Sequence, residues 1–243
     1  MMHTTWVPRK PRLLAISLLH HEIHDEYWRP FYSEAAHHVT LQVATEPETA
    51  IQVLQQSTPP KVVLITDGGL ARPENGHVWY SVLAYVHQGG TAIAMGFFSY
   101  VLVEVEVNSF FLLAGLNWRA RACPEGLSAM LNRDADQVGS TGLPNDFICC
   151  QSFYLTEVGF HEAWYVGQPE CKRLKNGETF FGPCCKGISV GVPAAFGKIG
   201  KGRLGYVGGH DPACGSGDTV WAMCGLPPLY RKFFRKPMVA WSE

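Results

Sequence analysis

Ser99 closes the run Gly89-Gly90-Thr91-Ala92-Ile93-Ala94-Met95-Gly96-Phe97-Phe98-Ser99, and a second polar pair, His210-Asp211, follows the late stretch Gly205-Tyr206-Val207-Gly208-Gly209. A serine hydroxyl becomes a useful nucleophile only beside a general base, and a third group must hold that base in the right tautomer. His210 is the candidate base. Asp211 adjoins it in sequence and is expected to point elsewhere, so Asp67 or Glu162 is the candidate orienting group. The amides after the turn, near Tyr100, would offer a site for a developing oxyanion. The plainer reading is that Ser99 only bends or caps the chain. No cysteine occurs before Cys123, so thiol chemistry at this turn is not expected.

The segment His20-His21-Glu22-Ile23-His24-Asp25-Glu26 carries ligand types that suit zinc or another divalent ion. His20 and His24 share a face only on a helix, whereas the segment reads as the exit of a strand. The expectation is therefore a solvated loop and no metal, with His20, His24 and His210 as the weaker alternative. His37-His38 reads as a helix end, where a positive charge is favourable. The eight cysteines, Cys123, Cys149, Cys150, Cys171, Cys184, Cys185, Cys214 and Cys224, match no common zinc spacing and read as free thiols. Trp79, Tyr80, Trp118, Trp164, Tyr165 and Trp221 could line an apolar pocket, although such residues more often form core. Arg119 and Arg121 could bind a carboxylate or phosphate in a guanidinium fork, or lie on a solvated strand face.

A net charge of -1 gives no electrostatic case for nucleic acid or an anionic membrane. Hydrophobic residues at 47% and charged ones at 17% are ordinary globular values. No apolar run approaches the ~18 residues of a membrane span, and no secretory leader is read at the amino end. An intracellular, cytoplasmic protein with a small-molecule partner and no cofactor is expected.

Several elements must position these residues. Leu13 to Leu19 is a continuous apolar run of the kind parallel strands show when both faces are covered. A helix over 25–39, a strand over 40–44, and a helix entered through Thr45-Glu46-Pro47-Glu48 follow, the last with capping-box spacing and an early proline. Lys61 to Asp67 reads as a third strand and Val78 to His87 as a third helix, ended at Gly89-Gly90 by a left-handed cap. The alternation predicts an α/β doubly wound, mostly parallel sheet with helices on both faces. Val101 to Val107 alternates as a half-exposed strand would, with a short helix after Asn108 closed by Gly115. Phe147 to Leu155 reads as one strand. Ile188 to Phe196 and Arg203 to Gly208 read as a late antiparallel hairpin around Gly197–Gly202, and Asp218 as the cap of a last helix. The expected organisation is one domain over 1–243, regular over 12–100, less regular over 101–226, with a tail over 227–243.

This order of elements resembles the class I glutamine amidotransferase-like superfamily, which is flavodoxin-like, and within it the branch of ThuA-like and related fungal proteins. Three motifs carry the resemblance, which spans about Arg12 to Leu226. Gly89-Gly90 through Ser99 is similar to the superfamily's nucleophile turn, with Phe98 where the ThuA-like branch often has histidine. Gly200-Lys201-Gly202-Arg203 through Gly208-Gly209-His210-Asp211 is similar to the branch's late hairpin and Gly-His-Asp ending, and His24-Asp25 to its early His-Asp pair. The resemblance implies that the missing cysteine excludes release of ammonia from glutamine, and it implies a homodimer.

The leading expectation is an enzyme acting on a small carbon–oxygen substrate, sugar-like or secondary-metabolite-like, by hydrolysis or proton transfer. Ser99, His210, Asp211, Asp67 and His24 are its candidate catalytic groups, and Phe97, Phe98, Tyr100, Trp118 and Arg119 its candidate substrate contacts. The other reading is a non-catalytic binding protein that keeps the fold as a scaffold, for which the two large rings beside Ser99 argue.

Overall fold

Strands covered on both faces read as unbroken apolar runs, and the first and third strands of this chain are built that way. The computed structural model describes residues 10–19, 22–123, 127–137, 143–149, 152–167, 172–173, 179–180, 191–209 and 211–227. In chain order the elements are β1 (Arg12–Ile16), α1 (Glu22–His38), β2 (Thr40–Ala44), α2 (Pro47–Leu54), β3 (Val62–Asp67), α3 (Gly76–His87), β4 (Thr91–Phe97) and α4 (Glu104–Leu113). There follow β5 (Arg119–Cys123), β6 (Leu127–Leu131), β7 (Asp146–Cys149), β8 (Ser152–Thr156), β9 (Ala163–Gly167) and the two-residue strands β10 (Lys172–Arg173) and β11 (Thr179–Phe180). The chain then forms β12 (Ala194–Ile199), β13 (Gly202–Val207) and α5 (Ser216–Met223).

The main sheet has the order β2-β1-β3-β4-β13-β12-β9-β6-β7. Its first five strands are mutually parallel, which is the flavodoxin-like order with β13 in the fifth place. The remaining strands extend it antiparallel. Side chains alternate across it as the pleat requires. Leu14, Ile16, Val63, Ile65, Ala92 and Ala94 join one core with residues of α2, α3 and α4, whereas Leu13, Ala15, Val62, Leu64, Ile93 and Met95 join another with residues of α1 and α5. Helices thus cover both faces. Trp79, Trp118, Trp164, Tyr165 and Trp221 are core residues, while Tyr80 is exposed.

Several local expectations are corrected. Residues 104–107, read as strand, open α4, because Glu106 accepts a hydrogen bond from the Val103 N–H at 2.9 Å and Val107, Phe110 and Phe111 fall on one buried helix face. The run Phe147 to Leu155 is two strands: β7 pairs β6 in the main sheet, and β8 pairs β5 in a separate two-stranded sheet. The outer edge of β5 is covered by α4, whose Asn108 and Glu104 accept from the Ala120 and Ala122 N–H groups. The late hairpin is tighter than expected, since Ile199 pairs Gly202 and only Gly200-Lys201 remain as the turn, with Gly200 at φ +57°. Helix α2 starts after Glu46 and lacks a side-chain cap. Gly89, at φ +118°, gives the expected left-handed end of α3.

Candidate functional site

The carboxyl edge of the parallel strands gathers several of the predicted residues, and a bulge in β4 arranges them. Ile65 pairs Ala94, but the next partners are Asp67 and Phe97, so β4 carries one residue more than β3 over this step. Gly96 absorbs it in the left-handed region at φ +64°, a conformation glycine adopts without the Cβ penalty. Two overlapping turns follow, with Phe98 N–H donating to Met95 C=O and Tyr100 N–H to Phe97 C=O, both at 3.1 Å.

These turns send the neighbouring side chains apart. Phe98 goes into the core, its ring 4.7 Å from Phe110 and 6.4 Å from Tyr206. Phe97 lies between Tyr27 of α1 at 6.4 Å and Tyr100 at 5.0 Å. Phe97 is buried, while Tyr27 and Tyr100 are 46% and 55% exposed. Ser99 is buried, and its Oγ shares a hydrogen bond of 2.5 Å with Ser152 Oγ at the start of β8. That strand is anchored over β13 by Tyr206 Oη, which donates to Phe153 C=O at 2.8 Å.

Asp67, opposite Phe97, is buried and its carboxylate accepts three hydrogen bonds. Oδ2 accepts from Ser17 Oγ and the Leu19 N–H, both at 2.9 Å, and Oδ1 from the Gly69 N–H at 2.8 Å. Asp67 thereby fills the crevice between the ends of β1 and β3, where the strand order reverses and flavodoxin-like sheets place ligands. Gly69 must be glycine here, because a Cβ would stand 2.7 Å from Leu18 Cβ and 2.9 Å from Asp67 Oδ1.

Other predicted residues are placed differently. His24 lies in the first turns of α1, which begins at Glu22, so this part of the segment is helix rather than strand-exit loop. His20, His210 and the His24 side chain lie outside the described residues, and with them the alternative metal set. Asp211 caps the turn Pro212–Cys214: Oδ1 accepts from the Ala213 N–H at 2.8 Å, and the Cys214 thiol donates to Oδ2 at 3.8 Å. Trp118 is buried against Phe111, and its indole N–H donates to Glu162 Oε2 at 3.1 Å. This pair packs at Gly197, in register with Leu204 and through it with Ala92 near the start of β4. Trp118 and Glu162 thus sit toward the opposite end of the sheet from Ser99. Arg119 is half-buried on β5, where its carbonyl accepts from Thr156 Oγ1 at 3.3 Å. Arg121 pairs with Glu104 at 3.2 Å.

Tyr27, Ser17 and Ser152 join this region without having been singled out in the sequence. Ser152 is 53 residues from Ser99, and no local spacing signals their contact. Among the described residues burial raises the pKa of Tyr85 and Cys224, both near the start of β3 and away from this edge. The Tyr85 phenol is pushed up to about 12 and lies 3.0 Å from the Pro60 and Lys61 carbonyl oxygens. The Cys224 thiol is also pushed up to about 12. Cys224 is a free, buried thiol. Among the described residues no cluster of three or more His, Cys, Asp or Glu could hold a metal ion, and no helix is long and apolar enough to cross a membrane.

Solved structures share this architecture. A protein described as ThuA-like from Bacteroides uniformis ATCC 8492 superposes with a TM-score of 0.57 at 11% identity, over 91% of this chain and 94% of that one. A beta-galactosidase from Bacillus circulans sp. alkalophilus gives 0.51 at 15% identity over 90% of this chain and 32% of its own. One from Rahnella sp. R3 gives 0.50 at 12% identity over 89% and 31%. The chain spans about a third of either galactosidase. No protein-family model matches the chain, and neither does any curated protein sequence. At such identities the likeness is one of fold: this is a mixed α/β protein with the flavodoxin-like architecture that ThuA-like proteins have.

Proposed function

We propose that the chain is a ThuA-like member of the amidotransferase-like superfamily that does not hydrolyse glutamine. It binds a small carbon–oxygen compound at the carboxyl edge of the parallel strands, against Tyr27, Phe97 and Tyr100, without covalent chemistry. The observation that carries this reading is the partner of Ser99. Its hydroxyl is bonded to another hydroxyl, that of Ser152, and an alcohol is not activated by a second alcohol of the same basicity. Asp67 supports it as well, for its carboxylate is taken up by three donors of the fold. The exposed Tyr27 and Tyr100 rings leave an aromatic surface for a ligand face.

The second reading is an enzyme that works by hydrolysis or proton transfer with Ser99 and His210, and one observation favours it. β13 runs parallel beside β4, so Gly208-Gly209, which precede His210 in the chain, and the turn that carries Ser99 leave the sheet from the same edge. The two readings separate in one experiment. Sugars and aromatic metabolites are screened by thermal shift, and each hit is assayed for turnover with wild type, Ser99→Ala, His210→Ala and Tyr100→Ala. Binding without turnover is expected, with affinity falling about tenfold in Tyr100→Ala and less in Ser99→Ala. Turnover lost in both Ser99→Ala and His210→Ala overturns the binding reading in favour of the enzyme. Glutamate released from glutamine by the wild type overturns both.

A further inference from the structure

Among the described residues two side-chain polar atoms are buried without a hydrogen-bond partner, Trp79 Nε1 and Ser216 Oγ. A polar group shut away from water and left unbonded is costly, and folded proteins hold few of them. Trp79 lies in the core that α3 and α4 share, stacked on Phe110 at 3.9 Å. Ser216 is a different case, because it opens a helix.

Ser216 is the first residue of α5 and is fully buried. The helix has no side-chain cap, and Gly215 precedes it in the left-handed region at φ +98°. The first backbone bond of the helix runs from the Thr219 N–H to the Gly215 carbonyl at 3.1 Å. Ahead of it, the Ser216 and Gly217 N–H groups meet no acceptor among the described residues. Asp211 does not serve them, since its Oδ1 accepts from the Ala213 N–H. Helix side chains tilt towards the amino end, so the Ser216 hydroxyl is directed to the same end as these two N–H groups. A left-handed residue followed by helical ones turns successive N–H groups into a single concavity of the kind that takes up anions. Glycine on either side of Ser216 keeps Cβ atoms away from that backbone.

The fold puts this helix end where ligands bind. Lys61, just before β3, donates its Nζ to the Gly225 carbonyl at 2.8 Å, just past the other end of α5. The helix therefore runs back along the sheet, and Ser216 lies at the carboxyl edge of the parallel strands, on the face that α5 shares with α1. Unpaired N–H groups at a helix start carry partial positive charge.

We propose that the amino end of α5 binds an oxyanion, the phosphate or carboxylate group of a small molecule, through the Ser216 hydroxyl and the Ser216 and Gly217 N–H groups. This site goes beyond the contact at Tyr27, Phe97 and Tyr100 and stands without it. Asp218 is the acid of the first turn, and its charge opposes the anion and tempers the affinity.

The test titrates the isotope-labelled full chain with sodium phosphate at neutral pH, with chloride holding the ionic strength constant, and follows the backbone amides by NMR. The Ser216 and Gly217 resonances are expected to move downfield and saturate. Ser216→Ala is expected to weaken phosphate about tenfold, and Asp218→Asn to tighten it about threefold. Without phosphate, Ser216→Ala should melt no lower than the wild type, because the hydroxyl it removes has no partner. Acetate and a hexose phosphate are titrated in the same way, with the free hexose as control. Acetate binding as well as phosphate supports a site for oxyanions in general, and phosphate or the hexose phosphate binding alone supports a phosphate site. Absence of a saturable shift with every anion, an equal shift with the free hexose, or unchanged phosphate affinity in Ser216→Ala overturns the proposal.

Discussion

Tyr85 and Ser99 mark the two ends of β4, and both are hydroxyls that the fold has claimed. Tyr85 Oη accepts from the Thr91 N–H at 3.3 Å where β4 starts and lies within bonding distance of the Pro60 and Lys61 carbonyls. Its pKa is raised from 10.0 to about 12, chiefly by burial. The folded chain therefore keeps the phenol proton after the unfolded chain has lost it. The stabilisation is complete below pH 10.0 and is lost as the pH rises towards about 12, by up to about 3 kcal/mol. Urea melts across this range are expected to show a steeper loss in wild type than in Tyr85→Phe. At neutral pH that variant should itself be about 1–2 kcal/mol less stable, because buried carbonyls lose a donor. Parallel slopes for the two proteins would contradict the account.

At the scale of elements, Asp67 ties the ends of β1 and β3 together through one carboxylate and three donors. Asp67→Ala leaves the buried Gly69 N–H and the part-buried Leu19 N–H and Ser17 hydroxyl without their acceptor and is expected to cost about 2–3 kcal/mol in chemical denaturation. A loss below 1 kcal/mol would mean that water replaces the carboxylate. β1, β3 and β4 were legible because each is a mostly apolar run with glycine, proline or acid close to its ends, and α1 to α3 because they alternate with the strands. The segment 104–107 was not, because Val-Glu-Val-Glu-Val has period two while Val107, Phe110 and Phe111 also satisfy a helical spacing. Only the Glu106 bond to the Val103 N–H and the core contact decide between them. The division of Phe147 to Leu155 between two sheets likewise has no glycine or proline to announce it. Of the site, Ser99, Phe97, Tyr100 and Asp67 were placed at one edge by topology alone. The Ser99–Ser152 bond and the approach of Tyr27 are tertiary and leave no trace in local spacing.

Across the whole molecule, stability is expected to be uneven. β3 is buried at every position and β4 at all but its first, whereas among the described residues β7 is an outermost strand of the sheet. Native-state hydrogen exchange should therefore find amides of β3 and β4 opening only with global unfolding and those of β6 and β7 opening earlier. Equal protection in both groups would show a single cooperative unit. The fifth place in the parallel array carries a different consequence. β13 is the direct neighbour of β4, yet all of residues 98–201 lie between them in the chain. At a synthesis rate of about 5–20 residues per second, the flank of β4 stays open on the ribosome for roughly 5–20 seconds before its partner emerges. For that interval the nascent chain exposes the edge of its most apolar strands, a demand on chaperones that the finished protein does not reveal.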